Sequence, residues 1–232
     1  MTQEKIILPL LPIREPDLVL FPEQFCEIDV GRHLSLAAIA IAQKGNNRII
    51  IAMQKDPNTD DPKGKDFYTI CSEAEIQKVT LIKNDDGSDI SRVLILGVAR
   101  AWLREVHELP EYLNGSIELF KEPSFLIDEH ITKSIQQLKE MIGDNPNLTT
   151  ISLRDAAITT STELSLFVDD VTAQLTLLKT VKLKLLRNND PRKRLEELLK
   201  IVEEITRKAT VIEAEPPGDE ISALNNELIR LQ

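Results

Sequence analysis

Aromatic residues are scarce in this chain: six phenylalanines, two tyrosines and one tryptophan make up 4% of its 232 residues. The core must therefore come from Leu, Ile, Val and Ala, and the aromatic platforms on which single-stranded nucleic acids stack are missing. A formal net charge of −10 works the same way, because most of such a surface repels a polyanion. No nucleic-acid partner is expected. The basic stretch at residues 179–194 is read as a solvated helix face. Two cysteines, Cys26 and Cys71, are too few for a disulfide framework and form no Cys-x-x-Cys pair, so a reducing compartment is the default. No apolar run approaches the length of a membrane span, and the polar start at residues 1–5 has no signal-peptide core behind it. These absences predict a soluble, cytoplasmic protein with no membrane partner.

Catalytic and metal-binding patterns are missing too. There is no Gly-x-x-x-x-Gly-Lys-Ser/Thr loop to cradle a nucleotide. His33, His107 and His130 are far apart and lack the spacing of metal ligands. Cys26 as a nucleophile would need a histidine beside it, and a buried, inert thiol is the simpler reading. Ser161 or Ser165 with Lys179 would make a Ser-Lys pair, but nothing supplies an oxyanion hole. The doublets Asp60-Asp61, Asp85-Asp86 and Asp169-Asp170 fit no calcium loop and read as solvated turns and a polar helix face. No catalytic residue, metal or cofactor is expected, and the chain is read as non-enzymatic.

What is present divides the chain in two. Up to about residue 120 the signals are strands and turns with one helix. Pro9 and Pro12 donate no backbone hydrogen bond, so residues 8–13 read as an edge strand or a lead-in to one. Residues 27–30 look like a strand and 34–43 like a helix. Gly31 lies between them, where a residue free to take positive φ would let the chain turn sharply. Residues 48–53 form a buried strand, 55–66 a polar loop, and 84–88 a hairpin turn that carries Asp86-Gly87. In the return strand at 91–106, Gly97 marks a bulge or a close backbone crossing, as expected of a strongly bent sheet. Trp102 on that strand reads as a packing residue.

Beyond residue 122 the apolar period becomes helical. Ser124 is the expected N-cap of a helix carrying Ile127, Ile131, Ile135, Leu138 and Ile142, ended by Gly143. Further helices are predicted at 153–159, 163–175, 177–187 and from Pro191 to about residue 209, the last capped by Asp190. They predict an antiparallel bundle. Residues 213–220, EAEPPGDE, read as a linker, and 221–231 as a short terminal helix.

The stretch LPLLPIREPDLVLFPEQFCEIDVGRHLSL at residues 8–36 orders its prolines, its Val-Gly-Arg step and the following helix in a way that resembles the N-terminal, substrate-binding domain of the ATP-dependent Lon proteases. The resemblance continues through Ala52, Gln54, Lys55, Asp61, Pro62, Asp66 and Tyr68, and through Gly97 with Arg100 three residues on. It fades after residue 209, and it departs in detail at Leu96, at Cys71 and in about two extra residues between Arg14 and Pro22. The resemblance implies an α+β fold. A small β-barrel-like (PUA-like) lobe with one or two helices would occupy residues 1–122, a helical bundle 123–210, and a linker with a terminal helix 211–232.

The function implied is non-catalytic recognition of unfolded or partly folded polypeptide through exposed apolar surface. Phe21, Pro22 and Phe25 are the candidate patch. A AAA+ protease, or self-association through the bundle, is the further expected partner. Two other readings remain: a structural or regulatory oligomerisation subunit that binds no substrate, and a small-molecule pocket in the β lobe. The two prolines of the tail favour a stand-alone module over a piece of a longer protease.

Overall fold

The computed structural model describes residues 5–15, 18–83, 89–145, 148, 150–153 and 157–214, with backbone alone at 89 and 208–214. The chain divides into two compact units, Met1–Lys121 and Glu122–Gln232.

The first unit is a barrel built from β1 (Ile6–Ile13), β2 (Phe25–Val30), β3 (Arg48–Met53), β4 (Ile70–Lys83), β5 (Asp89–Glu108) and β6 (Leu113–Leu119), with helix α1 (His33–Lys44) after β2. The strand order is β2-β5-β4-β3-β1-β6, and β6 pairs with β5 as well. That extra ladder closes β1, β3, β4, β5 and β6 into a ring and leaves β2 as an added strand on β5. Leu8, Leu10, Ile50, Phe67, Leu103 and Ile117 fill its core. Phe67 is no part of a strand but makes an isolated bridge to Gln54.

β1 is not the edge strand that its prolines predict, because it lies between β3 and β6. Its partners change at Leu10: Ile6 to Leu10 pair with β6, and Leu10 to Ile13 with β3. Pro9 and Pro12 each fall in a half with a single ladder, so a missing donor can sit on the unpaired side. Gly97 is both a bulge and a crossing. Glu73 pairs with Ala99 and Ala74 with Gly97, which leaves Val98 as the extra residue, and a Cβ on Gly97 would stand 2.0 Å from the Phe21 carbonyl oxygen. Gly31, in contrast, does not use the left-handed region. Among the described residues, the non-glycine ones that do are Glu23 and Asn47, both at φ 61°.

The second unit contains α2 (Glu129–Gly143), α3 (Ser161–Gln174), α4 (Lys179–Arg187) and α5 (Pro191–Ala214) around a core of Leu, Ile and Val with Phe167. Ser124 is not the cap of α2. Residues 125–127 lie outside the helix, with Leu126 bridged to Thr160 and Ile127 N donating to Thr159 O at 3.1 Å, so the helix starts later, with Asp128 accepting from Ile131 N at 2.8 Å. Thr160 and Glu163 form a capping box on α3. The Thr159 and Thr160 donors hold the Glu163 carboxyl at about 2. Asp190 caps α5 as expected, accepting from Arg192 N at 3.0 Å. Residues 153 and 157–159 are not helical. The hairpin turn at 84–88, Asp85-Asp86 with it, Pro16, Pro146 and the terminal segment 215–232 lie outside the described residues; α5 itself runs on to Ala214.

Candidate functional site

The local sequence of β2, Phe-Cys-Glu-Ile-Asp-Val, alternates, so residues 25, 27 and 29 share one face while Ile28 and Val30 are buried on the other. Phe25 is 64% exposed, the second largest exposure of a big apolar side chain after Leu81 among the described residues of this unit. Its cross-strand partner on β5 is Leu96, and Glu27 faces Leu94. Leu94 and Leu96 are half-buried, so the three side chains form an apolar strip on the outer face of the sheet. The strip ends where Arg92 makes a bidentate pair with Asp29, both contacts at 2.8 Å.

The candidate patch residues therefore separate. Phe21 is 0% exposed and offers no surface, because the segment carrying it crosses Gly97 inside the fold. Pro22 is half-buried at the tip of a turn in which Gln24 N donates to Phe21 O at 3.3 Å and Glu23 takes the left-handed conformation. Glu23 N donates to Gly97 O at 2.8 Å and Gly97 N to Gln24 O at 2.9 Å, which locks this turn to β5 and delivers Phe25 to the outer face. Leu94 and Leu96 escape sequence reasoning because only the register of β5 against β2 shows that they flank Phe25. The period of two in β2 itself was the available signal for Phe25.

The polar residues of the family-like motifs are structural here. Arg32 donates to Pro12 O at 2.7 Å and to Gln54 Oε1 at 2.9 Å. Gln54 passes the link on to Thr59 O at 2.9 Å, and Arg14 grips the same carbonyl at 2.9 Å and Asp60 at 2.7 Å. The loop at 55–66 is thus tied down at its middle, and Lys55 N to Asp66 O at 2.8 Å closes its base. Trp102 stacks obliquely on Phe120, ring centroids 4.9 Å apart.

Several chemistry-bearing residues also find structural roles. The Cys71 thiol is buried and pushed well up by that burial, whereas Cys26 is half-buried rather than the buried thiol expected, its thiol raised by partial desolvation and by Glu15 and Glu27. Asp169 is not on a solvated face: it is 1% exposed and lies 3.6 Å from the guanidinium of Arg194, which is 0% exposed. Arg194 also donates to Glu122 and Asn188 O, both at 2.8 Å, and to Ser165. Lys182, likewise buried, donates to Ala173 O at 3.2 Å, so the basic stretch is not one solvated face. Among the described residues no group of three or more His, Cys, Asp or Glu is placed to hold a metal ion, and no helix is long and apolar enough to cross a membrane.

A closed barrel with an added strand, followed by a helical unit, can be compared with known proteins. The family profile described as the substrate-binding domain of ATP-dependent protease La (LON) matches residues 7–204. The chain belongs to this Lon substrate-binding domain family. Lon protease of Clostridium acetobutylicum is 26% identical over 209 residues, covering 88% of this chain and 26% of that protein. Lon protease 3 of Sorangium cellulosum is 30% identical over 204 residues, covering 86% and 24%. The chain thus spans about a quarter of the length of these relatives. The crystal structure of a Lon N-terminal domain protein from Xanthomonas campestris shares the fold, with a TM-score of 0.57 at 16% identity over 84% of this chain and 98% of that one. The N-terminal domain of Mycobacterium avium complex Lon protease gives 0.60 at 18% identity, covering 85% and 98%. The family match makes this chain a substrate-recognition module of Lon type, and only that domain of the Lon architecture is matched in it.

Proposed function

We propose that this domain binds unfolded or partly folded polypeptide on the outer face of β2 and β5, with Phe25, Leu94 and Leu96 as the contact strip. The supporting observation is the exposure of Phe25 directly across from Leu96 on a sheet whose fold leaves both outside the core. A monomeric domain gains no stability from such a side chain in water, and a shallow apolar strip suits clients of many sequences because it imposes no fixed hydrogen-bond code. Pro22 borders the strip through its turn, whereas Phe21 supports it from below. Unfolding force and peptide-bond cleavage would come from AAA+ and proteolytic parts on other polypeptide segments, with this domain as the first point of contact in the cytoplasm.

Binding of reduced, carboxymethylated α-lactalbumin to the full chain, followed by fluorescence anisotropy, tests the reading. Burying one phenylalanine contributes about 1.5–3 kcal/mol, so Phe25→Asp should weaken binding by about tenfold or more. Unchanged affinity in a folded Phe25→Asp protein would remove the strip from consideration.

A further inference from the structure

The opposite end of β2 holds a different feature. Val30, Gly31 and Arg32 lead into α1 across from the last residues of β1, and a cleft of about 200 Å³ opens between them. That is below the size of a drug-like site but room enough for one side chain or one chain end. Helix α1 begins there without a side-chain cap and without an acidic residue in its first turn. Its first intrahelical bond runs from Leu36 N to Arg32 O at 2.9 Å, so the N–H groups of His33, Leu34 and Ser35 have no acceptor within the helix. The positive end of the helix dipole faces the cleft.

Ser35 is the independent sign of a ligand. It is 2% exposed, it lines the cleft, and its hydroxyl makes no hydrogen bond among the described residues. Helical serines commonly return their proton to the carbonyl four residues back, and this hydroxyl does not, so its remaining opening is the cleft it lines. Arg14 and Arg32 stand beside it, and Arg14 Nε is buried without an acceptor. Two acidic residues also line the cleft. Asp29 is neutralised by Arg92, and Glu15 accepts from Arg14 N at 3.2 Å.

We propose that this cleft binds a carboxylate of a polypeptide client, with Ser35 Oγ, the free N–H groups of α1 and the unshared Nε of Arg14 as donors and Arg32 as counter-charge, since Arg14 is already paired with Asp60. The apolar walls at Ile13, Ile28 and Val30 suit the carbon stem behind a carboxylate, whereas the repulsion from the nearby Glu15 grows with ligand charge and disfavours a doubly charged phosphate. The carboxylate comes either from a chain terminus or from an Asp or Glu side chain. This inference rests on the reading that the domain takes polypeptide clients, and it names a second subsite on the same strand.

The full chain is titrated with a short fluorescein-labelled Ala/Leu peptide in three forms: free C-terminus, amidated C-terminus, and amidated with one internal glutamate. At least one carboxylate form should bind about tenfold tighter than the plain amide, and which one does so identifies the source. Ser35→Asp places the protein's own carboxylate at the third position of α1 and should erase the preference, while Ser35→Ala should reduce it severalfold; Trp102 fluorescence checks that both variants fold. Equal or undetectable binding of all three peptides, or a preference that survives Ser35→Asp, overturns the inference. Reduced, carboxymethylated α-lactalbumin is run in parallel. If it binds through Phe25 and no peptide preference exists, the cleft alone fails; if the preference exists but the unfolded protein does not bind, the strip alone fails.

Discussion

The two units solve the problem of a core poor in aromatics differently. The first relies on backbone closeness: a closed ring of strands, a bulge at Val98, and a turn laid so tightly on Gly97 that no side chain fits there. The second relies on ends and charges, with Asp128, Thr160 and Asp190 capping its helices and an arginine buried among Glu122, Ser165, Asp169 and Asn188. The difference teaches where each unit is vulnerable. A barrel fails when its backbones are pushed apart, whereas a helical core fails when a buried ion loses its partner.

Trp102 belongs to the first unit, and most helical signal comes from the second, so the two can be unfolded side by side and compared. The largest expected effect is Gly97→Ala. Its Cβ would meet the Phe21 carbonyl oxygen at 2.0 Å, and the displaced turn should cost about 4–5 kcal/mol or prevent the barrel from forming. Denaturant titration should show the Trp102 transition moved far more than the circular dichroism of the helices. A coincident shift of both probes would mean that the units do not unfold separately.

Arg194→Met is the counterpart in the second unit. It leaves Asp169 buried without its guanidinium, an uncompensated charge that costs about 3–5 kcal/mol. Here the helical transition should drop and the Trp102 transition stay. Replacing Asp169 by Leu in the same chain should recover much of the loss, because an apolar pair can substitute for a buried ionic one. No recovery in the double variant would show that Arg194 matters through Glu122 and the carbonyl of Asn188 instead.

Smaller still is the cap of α3. Thr160→Ala should lower the helical midpoint by about 1 kcal/mol. Glu163 adds a pH signature. Its carboxyl is held at about 2, below its ordinary 4.5, so its contribution is complete above that ordinary value and is lost as pH falls toward 2. The gap between wild type and Glu163→Gln, measured by helical unfolding against pH, should therefore be flat in neutral solution and close below about pH 4.5. A gap that persists at pH 2 would refute the capping account. At the bottom of the scale, Phe25→Asp should alter stability by no more than about 0.5 kcal/mol while weakening client binding, because the side chain lies outside the core.

Much of the architecture could be read from local chemistry. Asp190-Pro191 announces α5, the run Arg48–Met53 announces β3, and Gly97 announces a bend, since each of these depends on residues a few positions apart. The edge assignment of residues 8–13 failed because Pro9 and Pro12 constrain only one side each, and the partner exchange at Leu10 is a long-range event. The cap of α2 moved from Ser124 to Asp128 for a similar reason, as the bridge between Leu126 and Thr160 holds the intervening chain outside the helix.

The candidate site divides in the same manner. Phe21, Pro22 and Phe25 lie within five residues and look alike as a string, yet one is buried, one half-buried and one exposed. Periodicity in β2 carries a signal for Phe25, although the strand as read from sequence begins only at residue 27. The burial of Phe21 and the strip formed with Leu94 and Leu96 required the crossing at Gly97 and the register of β2 on β5, and the meeting of Ser35 with Arg14 required α1 to lie beside the end of β1. By itself, then, the sequence determined the type of most elements, the helix cap at Asp190, and the family, because these rest on neighbours along the chain and on ordered motifs. Tertiary structure alone decided which apolar side chains face water and which polar ones lack a partner, because both depend on what distant strands bring alongside.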